Sequence, residues 1–180
     1  MTDTLFKTFK EQPIELLHKI ASGGEGTIWQ TNIPQFLAKI YHEPSEKLHP
    51  KILAMLADPP LDPMRAQGHT SIAWPQDGIV DAENMFRGFL LPRISGTLTL
   101  NHIYNPKLRK KHAPGFNWFY LHTTAANITS ILDSLHQRGY VIGDLKTDNF
   151  LVTENALVSV LDTDSFQIKV KANFNTCLNR

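Results

Sequence analysis

The sequence predicts an α+β protein in two parts, a sheet-rich first half and a helical second half. Three observations carry this. Short apolar runs punctuated by glycine and proline turns occupy most of residues 14–42 and 71–94. From Trp118 to Leu135, apolar residues recur at alternating threes and fours, the period of a long amphipathic helix. Beyond that helix, two aliphatic runs flank the turn TENA and read as a hairpin.

Taken in order, residues 14–20 (IELLHKI) and 27–31 (TIWQT) form strands around a glycine-rich turn. FLAKIYH, 36–42, is a third strand, entered through the turn Asn32-Ile33-Pro34. Residues 44–57 read as a helix, most securely after Pro50, because Ile52, Leu53, Met55 and Leu56 cluster on one side. Pro59-Pro60 stops it, since proline lacks the N–H that a further turn needs. A proline-containing loop leads to apolar runs at 71–75 (SIAWP) and 86–94 (FRGFLLPRI). Ser95-Gly96 begins a polar connection and divides the chain into parts 1–94 and 95–180. The helix line Trp118, Leu121, Ala125, Ile128, Leu132, Leu135 ends near Arg138-Gly139, glycine being the usual stop. FLV, 150–152, and LVSVL, 157–161, make the hairpin.

Composition narrows the function classes. The 180 residues are 42 % hydrophobic and 19 % charged, ordinary for a globular protein and too apolar for disorder. A net charge of +1 gives no case for nucleic acid by bulk attraction. Cys177 is the only cysteine, which rules out an internal disulfide and any multi-cysteine metal site and suits a reducing compartment. MTDTLFKTFKEQPIELL lacks the pattern of a signal peptide, and no apolar stretch approaches the roughly 20 residues that span a bilayer. The expectation is a cytoplasmic protein with no membrane or nucleic-acid partner.

The chemistry concentrates in VIGDLKTDNFLV, 141–152, where Asp144, Lys146 and Asn149 follow the long helix and precede the hairpin. The hairpin returns the chain to its start, so Asp162 of VLDTDSF comes back toward Asn149 and Asp144. Carboxylate and amide oxygens converging beside a lysine suit Mg²⁺, which binds a few protein oxygens together with phosphate oxygens and water. This arrangement resembles the catalytic loop and metal-binding segment of protein kinases. The family pattern H-R-D-L-K-x-x-N appears as Ile142-Gly143-Asp144-Leu145-Lys146-Thr147-Asp148-Asn149. The D-F-G aspartate has its counterpart in Asp162. IASGGEGTIW resembles the kinase glycine-rich loop, with Ala21 for the first glycine, then Gly23, Gly24, Gly26 and Ile28. Lys39 in LAKIY takes the place of the strand lysine that pairs with nucleotide phosphates. GFLLPRI, NPKLRKKHAPGFNW, GYVIGDL and LDTDSFQI further resemble a bacterial subgroup of kinase-domain proteins carrying D-T-D-S in place of D-F-G.

The resemblance covers residues 14–168 and implies a two-lobe kinase-like fold with an incomplete helical lobe. It implies ATP and Mg²⁺ as cofactors and phosphoryl transfer to a protein serine or threonine. Asp144 would accept the substrate hydroxyl proton and Lys146 would steady the transferring phosphoryl charge. Asn149 and Asp162 would hold the metal, and Lys39 the phosphates, in a cleft between the halves. Leu91-Pro92-Arg93-Ile94 would be the hinge meeting the adenine edge. The long helix, 117–137, would lack much of the cover that the family's later helices give it, leaving an apolar face for self-association or a regulatory protein partner.

Departures from the pattern keep rival readings open. The His and Arg of H-R-D are Ile142 and Gly143, so control through a phosphorylated loop pairing with that arginine is not expected. Leu37 lies two before Lys39 on the same strand face, where kinases place a small alanine over the base. The helix glutamate that pairs with the lysine is missing, since Ala54 and Ala57 stand at the usual separation; Glu43 and Glu46 are nearer substitutes. These features favour a pseudokinase, a nucleotide- or protein-binding module without turnover. A small-molecule kinase on the same fold is the third reading. A calcium loop around D-T-D fails, because Gln167 and Asn173 replace the required glycine and glutamate. Asp164 reads equally as a turn cap or a metal contact, and Asp133 with His136 as one helix face. The basic run Lys107–Lys111 with His112 reads as a solvated surface or a dock for an acidic partner.

Overall fold

A computed structural model describes residues 6–43 and 47–168. These fall into two compact units, the described part of Met1–Pro59 with Trp74–Arg93, and Pro60–Ala73 with the described part of Ile94–Arg180.

The first unit is built on one antiparallel sheet. Its strands are β1 (Phe6–Thr8), β2 (Pro13–Ile14), β3 (Leu16–Ser22), β4 (Gly26–Thr31), β5 (Phe36–Tyr41), β6 (Asp77–Val80) and β7 (Phe86–Pro92). They lie in the order β2-β1-β6-β7-β5-β4-β3. Strand alternation divides β5 between two faces. Ala38, fully buried, joins Ile14, Ile33, Ile79 and Leu90 in a core cluster on one face, edged by Phe36 and Ile40. Leu37, Lys39 and Tyr41 occupy the other face. There Tyr41 packs against Phe86 and Phe89, with ring centroids 6.0 and 6.1 Å apart. The helix α1 (Leu48–Ala57) buries Ile52 and Met55. It is anchored by stacking of His49 on Phe86 at 5.0 Å and by the Trp74 indole N–H donating to the Met55 carbonyl at 2.9 Å. It ends at Ala57, before Pro59-Pro60, as expected; residues 44–46 of the expected helix, Glu46 among them, lie outside the described residues.

The second unit pairs a small sheet with helices. β8 (Thr97–Thr99), β9 (Phe150–Thr153) and β10 (Val158–Val160) form an antiparallel sheet in the order β10-β9-β8. The helices are α2 (Leu100–Tyr104), α3 (Pro106–His112) and α4 (Trp118–Gln137). The Asn117 side chain caps α4 by accepting from the Tyr120 N–H, and Gly139 at φ 75° closes it. Asn127 on α4 donates to the Ala156 carbonyl at 2.8 Å, tying the helix to the hairpin turn.

Two expectations change. Residues 60–73 were expected in the first part, yet they belong to the second unit, because the hairpin supplies their backbone partners. Ile72 bridges Val160, with Ala73 N–H to Val160 carbonyl and Val160 N–H to Ser71 carbonyl both 2.9 Å. Buried Ser159 donates to the Thr70 carbonyl at 2.6 Å, and Asp62 accepts from the Ser71 N–H at 2.8 Å. The buried line of α4 also differs from the apolar one. Thr124, Ile131 and Leu135 are buried, whereas Ala125 is exposed and Trp118 is 74 % exposed. Thr124 tolerates burial because its hydroxyl donates to the Tyr120 carbonyl one turn back, at 2.8 Å.

Candidate active site

In the first unit the glycine-rich turn is a tight hairpin between β3 and β4. Gly23 N–H donates to the Gly26 carbonyl at 2.9 Å, and Ala21 pairs with Ile28 two steps along the ladder. Gly26 is required by packing: a Cβ there would lie 2.6 Å from the Ile40 carbonyl oxygen. Gly23 and Gly24 are not, since an added Cβ at Gly24 meets nothing within 4 Å and neither residue has positive φ. Without side chains at Gly23 and Gly24, no Cβ stands over the tip of the turn. A polar chain braces the base of the turn, with Ser22 and Thr27 hydroxyls 3.0 Å apart and Thr27 3.0 Å from His42 Nε2.

Lys39 lies mid-strand in β5, between Ile28 of β4 and Phe89 of β7, and is 91 % buried, with 9 % exposure. Its ammonium lies 5.8 Å from the centre of the Tyr41 ring. Burying a lysine to this depth carries a large desolvation cost. Leu37 is half-buried opposite Leu91. No residue of α1 is acidic, so no carboxylate from that helix serves Lys39. Glu43 is exposed, and Glu46 falls outside the described residues. Of the expected hinge, Leu91 and Pro92 end β7. Pro92 has no N–H, and the Arg93 N–H is engaged by the Gln35 carbonyl at 2.9 Å. Ile94 begins the second unit's later segment.

In the second unit, Asp144, Lys146, Asn149 and Asp162 are brought together by a chain of local bonds. Leu161 N–H donates to the Asn149 carbonyl at 2.8 Å, closing the base of the β9–β10 hairpin. Val141 and Gln167 exchange two backbone bonds, 3.0 and 2.8 Å, which lay the segment after Asp162 against the start of the loop that carries Asp144. The Asn149 amide donates to the Asp144 carbonyl at 2.9 Å, so its Oδ1 remains as an oxygen donor. Lys146 Nζ is 2.5 Å from Asp144 Oδ2. The Lys146 ammonium is held above the ordinary lysine range, first by its hydrogen bond and charge contact with Asp144, then by the Asp162 and Asp148 carboxylates. Exposed as it is, this pair adds little stability; its consequence is the placement of a cation beside the Asp144 carboxylate.

Asp162 adopts the left-handed conformation, φ 54° and ψ 42°. Ser165 holds it there: its N–H and hydroxyl donate to the Asp162 carbonyl at 3.1 and 2.7 Å. Thr163, 1 % exposed, donates to the Ala73 carbonyl at 3.0 Å, and Asp164 is also buried. Gly143 completes the contact, because a Cβ there would stand 2.3 Å from the Ser165 carbonyl oxygen.

No protein-family model matches the chain. A curated relative named protein kinase YegI, from Escherichia coli O157:H7, is 32 % identical over 161 residues, 88 % of this chain and 24 % of the relative. Its counterpart in strain K12 is 32 % identical over 163 residues, with the same coverage. Among solved structures, a rhoptry kinase from Toxoplasma gondii superposes with a TM-score of 0.58 at 14 % identity, covering 95 % of this chain and 54 % of that one. Vaccinia related kinase 3 superposes at 0.63 and 15 % identity, covering 93 % and 52 %. The fold is protein-kinase-like. The chain spans about a quarter of the length of the curated relatives it matches.

The donor set of the second unit fits Mg²⁺. The candidates are Asn149 Oδ1 and the Asp162 carboxylate, both hard oxygens, and Mg²⁺ characteristically takes one or two carboxylates and leaves its other positions to phosphate and water. No cluster of three or more His, Cys, Asp or Glu side chains suited to a metal occurs among the described residues. Nor is any described helix long and apolar enough to cross a membrane. Gly143, Thr163 and Ser165 were not singled out from sequence as parts of the site. A serine three residues after an aspartate is a local turn signal that points to Ser165; the other two act through contacts distant in sequence.

Proposed function

We propose that the domain binds ATP with Mg²⁺ and transfers the terminal phosphoryl group to a serine or threonine hydroxyl of a protein. The observation that carries this reading is the grouping of Asp144, Lys146, Asn149 and Asp162 on one loop and hairpin of the second unit. Asp144 accepts the proton of the acceptor hydroxyl as its oxygen bonds to the γ-phosphorus and the bond to the β-phosphate oxygen breaks, releasing ADP. Lys146, already beside Asp144, offers positive charge to the equatorial oxygens of the transferring group. Asn149 and Asp162 hold the metal, which when bound neutralises phosphate charge. Lys39 and the glycine turn bind the phosphates. The choice of a protein serine or threonine rests on Lys146 and the family resemblance.

A pseudokinase is the second reading, favoured by the absence of any acidic residue from α1. Transfer from γ-labelled ATP to a generic basic protein, to casein and to the chain itself separates the two. The proposal expects Mg²⁺-dependent labelling on serine or threonine that Asp144→Asn lowers by a factor of about 10² or more. Labelling that persists at full rate in Asp144→Ala removes Asp144 from its role. Nucleotide binding with no transfer to any acceptor selects the pseudokinase.

A further inference from the structure

We propose that Tyr41 is a positioning residue for Lys39, and that a row of aromatic rings ties it to α1, the helix that offers Lys39 no carboxylate. The inference rests on the reading of Lys39 as a phosphate-binding group and names what orients that group within the first unit.

The row can be followed ring by ring. Lys39 and Tyr41 are two apart on β5, so their side chains rise from the same face. The Lys39 ammonium lies over the Tyr41 ring, 5.8 Å from its centre. Tyr41 is buried against Phe86, also buried, and against Phe89. Phe86 in turn carries His49 of α1, stacked at 5.0 Å with only 6° between the ring planes. Phe9, just after β1, closes the far end, 5.3 Å from His49 and 6.2 Å from Phe86. Its ring finds room because position 78 has no side chain: a Cβ on Gly78 would fall 2.1 Å from it. The Phe9 backbone is pinned there too, its N–H donating to the Gly78 carbonyl at 3.0 Å. Tyr41 also stands opposite Gly26 in the β4–β5 ladder, where an added Cβ would lie 3.3 Å from the Tyr41 Cα. One residue therefore adjoins the end of the glycine turn, the α1 stack and the lysine.

A ring acts on a lysine differently from a carboxylate. It attracts the cation through its quadrupole, most strongly where water is excluded, as around the buried Lys39. It bears no net charge, so it restrains the ammonium without neutralising it. A lysine has a flexible four-carbon stem and loses rotamer freedom when it is fixed on a ligand. Restraint against Tyr41 beforehand removes part of that cost from phosphate binding. The rings of the row are fixed in turn by one another, since tilted and stacked pairs at these separations attract.

The test reads Lys39 by NMR of the chain carrying isotopically labelled lysine, and reads ATP separately by calorimetry with Mg²⁺. The ε-methylene signal of Lys39, identified by its loss in Lys39→Arg, should lie upfield of those of exposed lysines through the Tyr41 ring current. Tyr41→Phe, which keeps the ring, should keep the displacement, and Tyr41→Leu should abolish it. His49→Ala should reduce it, because Phe86 then loses the ring stacked on it. Tyr41→Leu should weaken Mg²⁺-ATP binding by roughly three- to tenfold, with no further loss in a Lys39→Ala background. Tyr41→Phe should bind within about twofold of the unaltered chain. The proposal is overturned if the Lys39 signal is undisplaced, if Tyr41→Leu leaves it in place, or if Tyr41→Leu costs as much without Lys39 as with it. An unmoved Lys39 signal in His49→Ala overturns the link to α1. A displaced signal in a chain that binds no ATP would uphold the ring contact and count against the phosphate reading of Lys39.

Discussion

At position 143 the absence of one methyl group decides how closely the loop before Asp144 approaches the segment after Asp162. A Cβ would stand 2.3 Å from the Ser165 carbonyl oxygen, a backbone atom that cannot swing aside. Gly143→Ala is therefore expected to lose about 1–3 kcal/mol of stability in denaturant titration, as overpacking does. An arginine at this position, the residue that kinases carry, is incompatible with the observed contact. Ser165 acts on the other side of the same contact. Ser165→Ala removes the hydroxyl bond to the Asp162 carbonyl and should cost about 1 kcal/mol. If Ser165 positions Asp162, the substitution should also raise the Mg²⁺ concentration needed for nucleotide binding, and Ser165→Thr should restore it. A loss of stability with an unchanged Mg²⁺ requirement would confine Ser165 to the fold. Sequence revealed that Gly143 departs from the family pattern but gave no reason, because the atom responsible lies 22 positions away. The nearness of Asp144 and Asn149 was legible because they lie five positions apart on one short loop.

Among the elements, the β6–β7 turn holds a buried carboxylate whose partners define a pH dependence. Asp81, 1 % exposed, accepts from the N–H groups of Glu83 and Met85 at 3.1 and 2.8 Å, and from Arg87 Nε at 2.6 Å. Burial pushes its pKa up, but the bond and charge of Arg87 and the two N–H groups outweigh burial, leaving it below the ordinary carboxylate range. A carboxyl with a lowered folded-state pKa stabilises the fold above its unfolded value of about 3.9, and the contribution is lost as pH falls through the folded value. Thermal melts should thus show Asp81→Asn less stable than the unaltered chain at neutral pH. The gap should narrow below about pH 4. A gap that stays constant to the lowest pH would show that Asp81 acts by shape alone. Elements of this size explain what sequence could not show. β1, β2, β6 and β8 are only two to four residues long, too short to display a period. The twenty-residue α4 was visible throughout, yet its buried line was misplaced because Thr124 hides a satisfied hydroxyl where an apolar residue was expected.

For the molecule as a whole, four motifs in order announced the kinase-like fold, and structural likeness at low sequence identity agrees with them. The excursion of residues 60–73 into the second unit was not legible. It depends on Ser71 and Ala73 pairing with Val160, almost ninety positions later, and no local pattern encodes such a partner. The central claim is that the chain binds Mg²⁺-ATP and that Lys39 and Asp162 each contribute to that binding. Calorimetric titration of ATP, with Mg²⁺ and with chelator, tests it most directly on the unaltered chain, Lys39→Ala and Asp162→Ala. The account predicts Mg²⁺-dependent binding that each substitution weakens, with the metal dependence itself lost in Asp162→Ala. Equal binding with and without Mg²⁺, unchanged by either substitution, would contradict it.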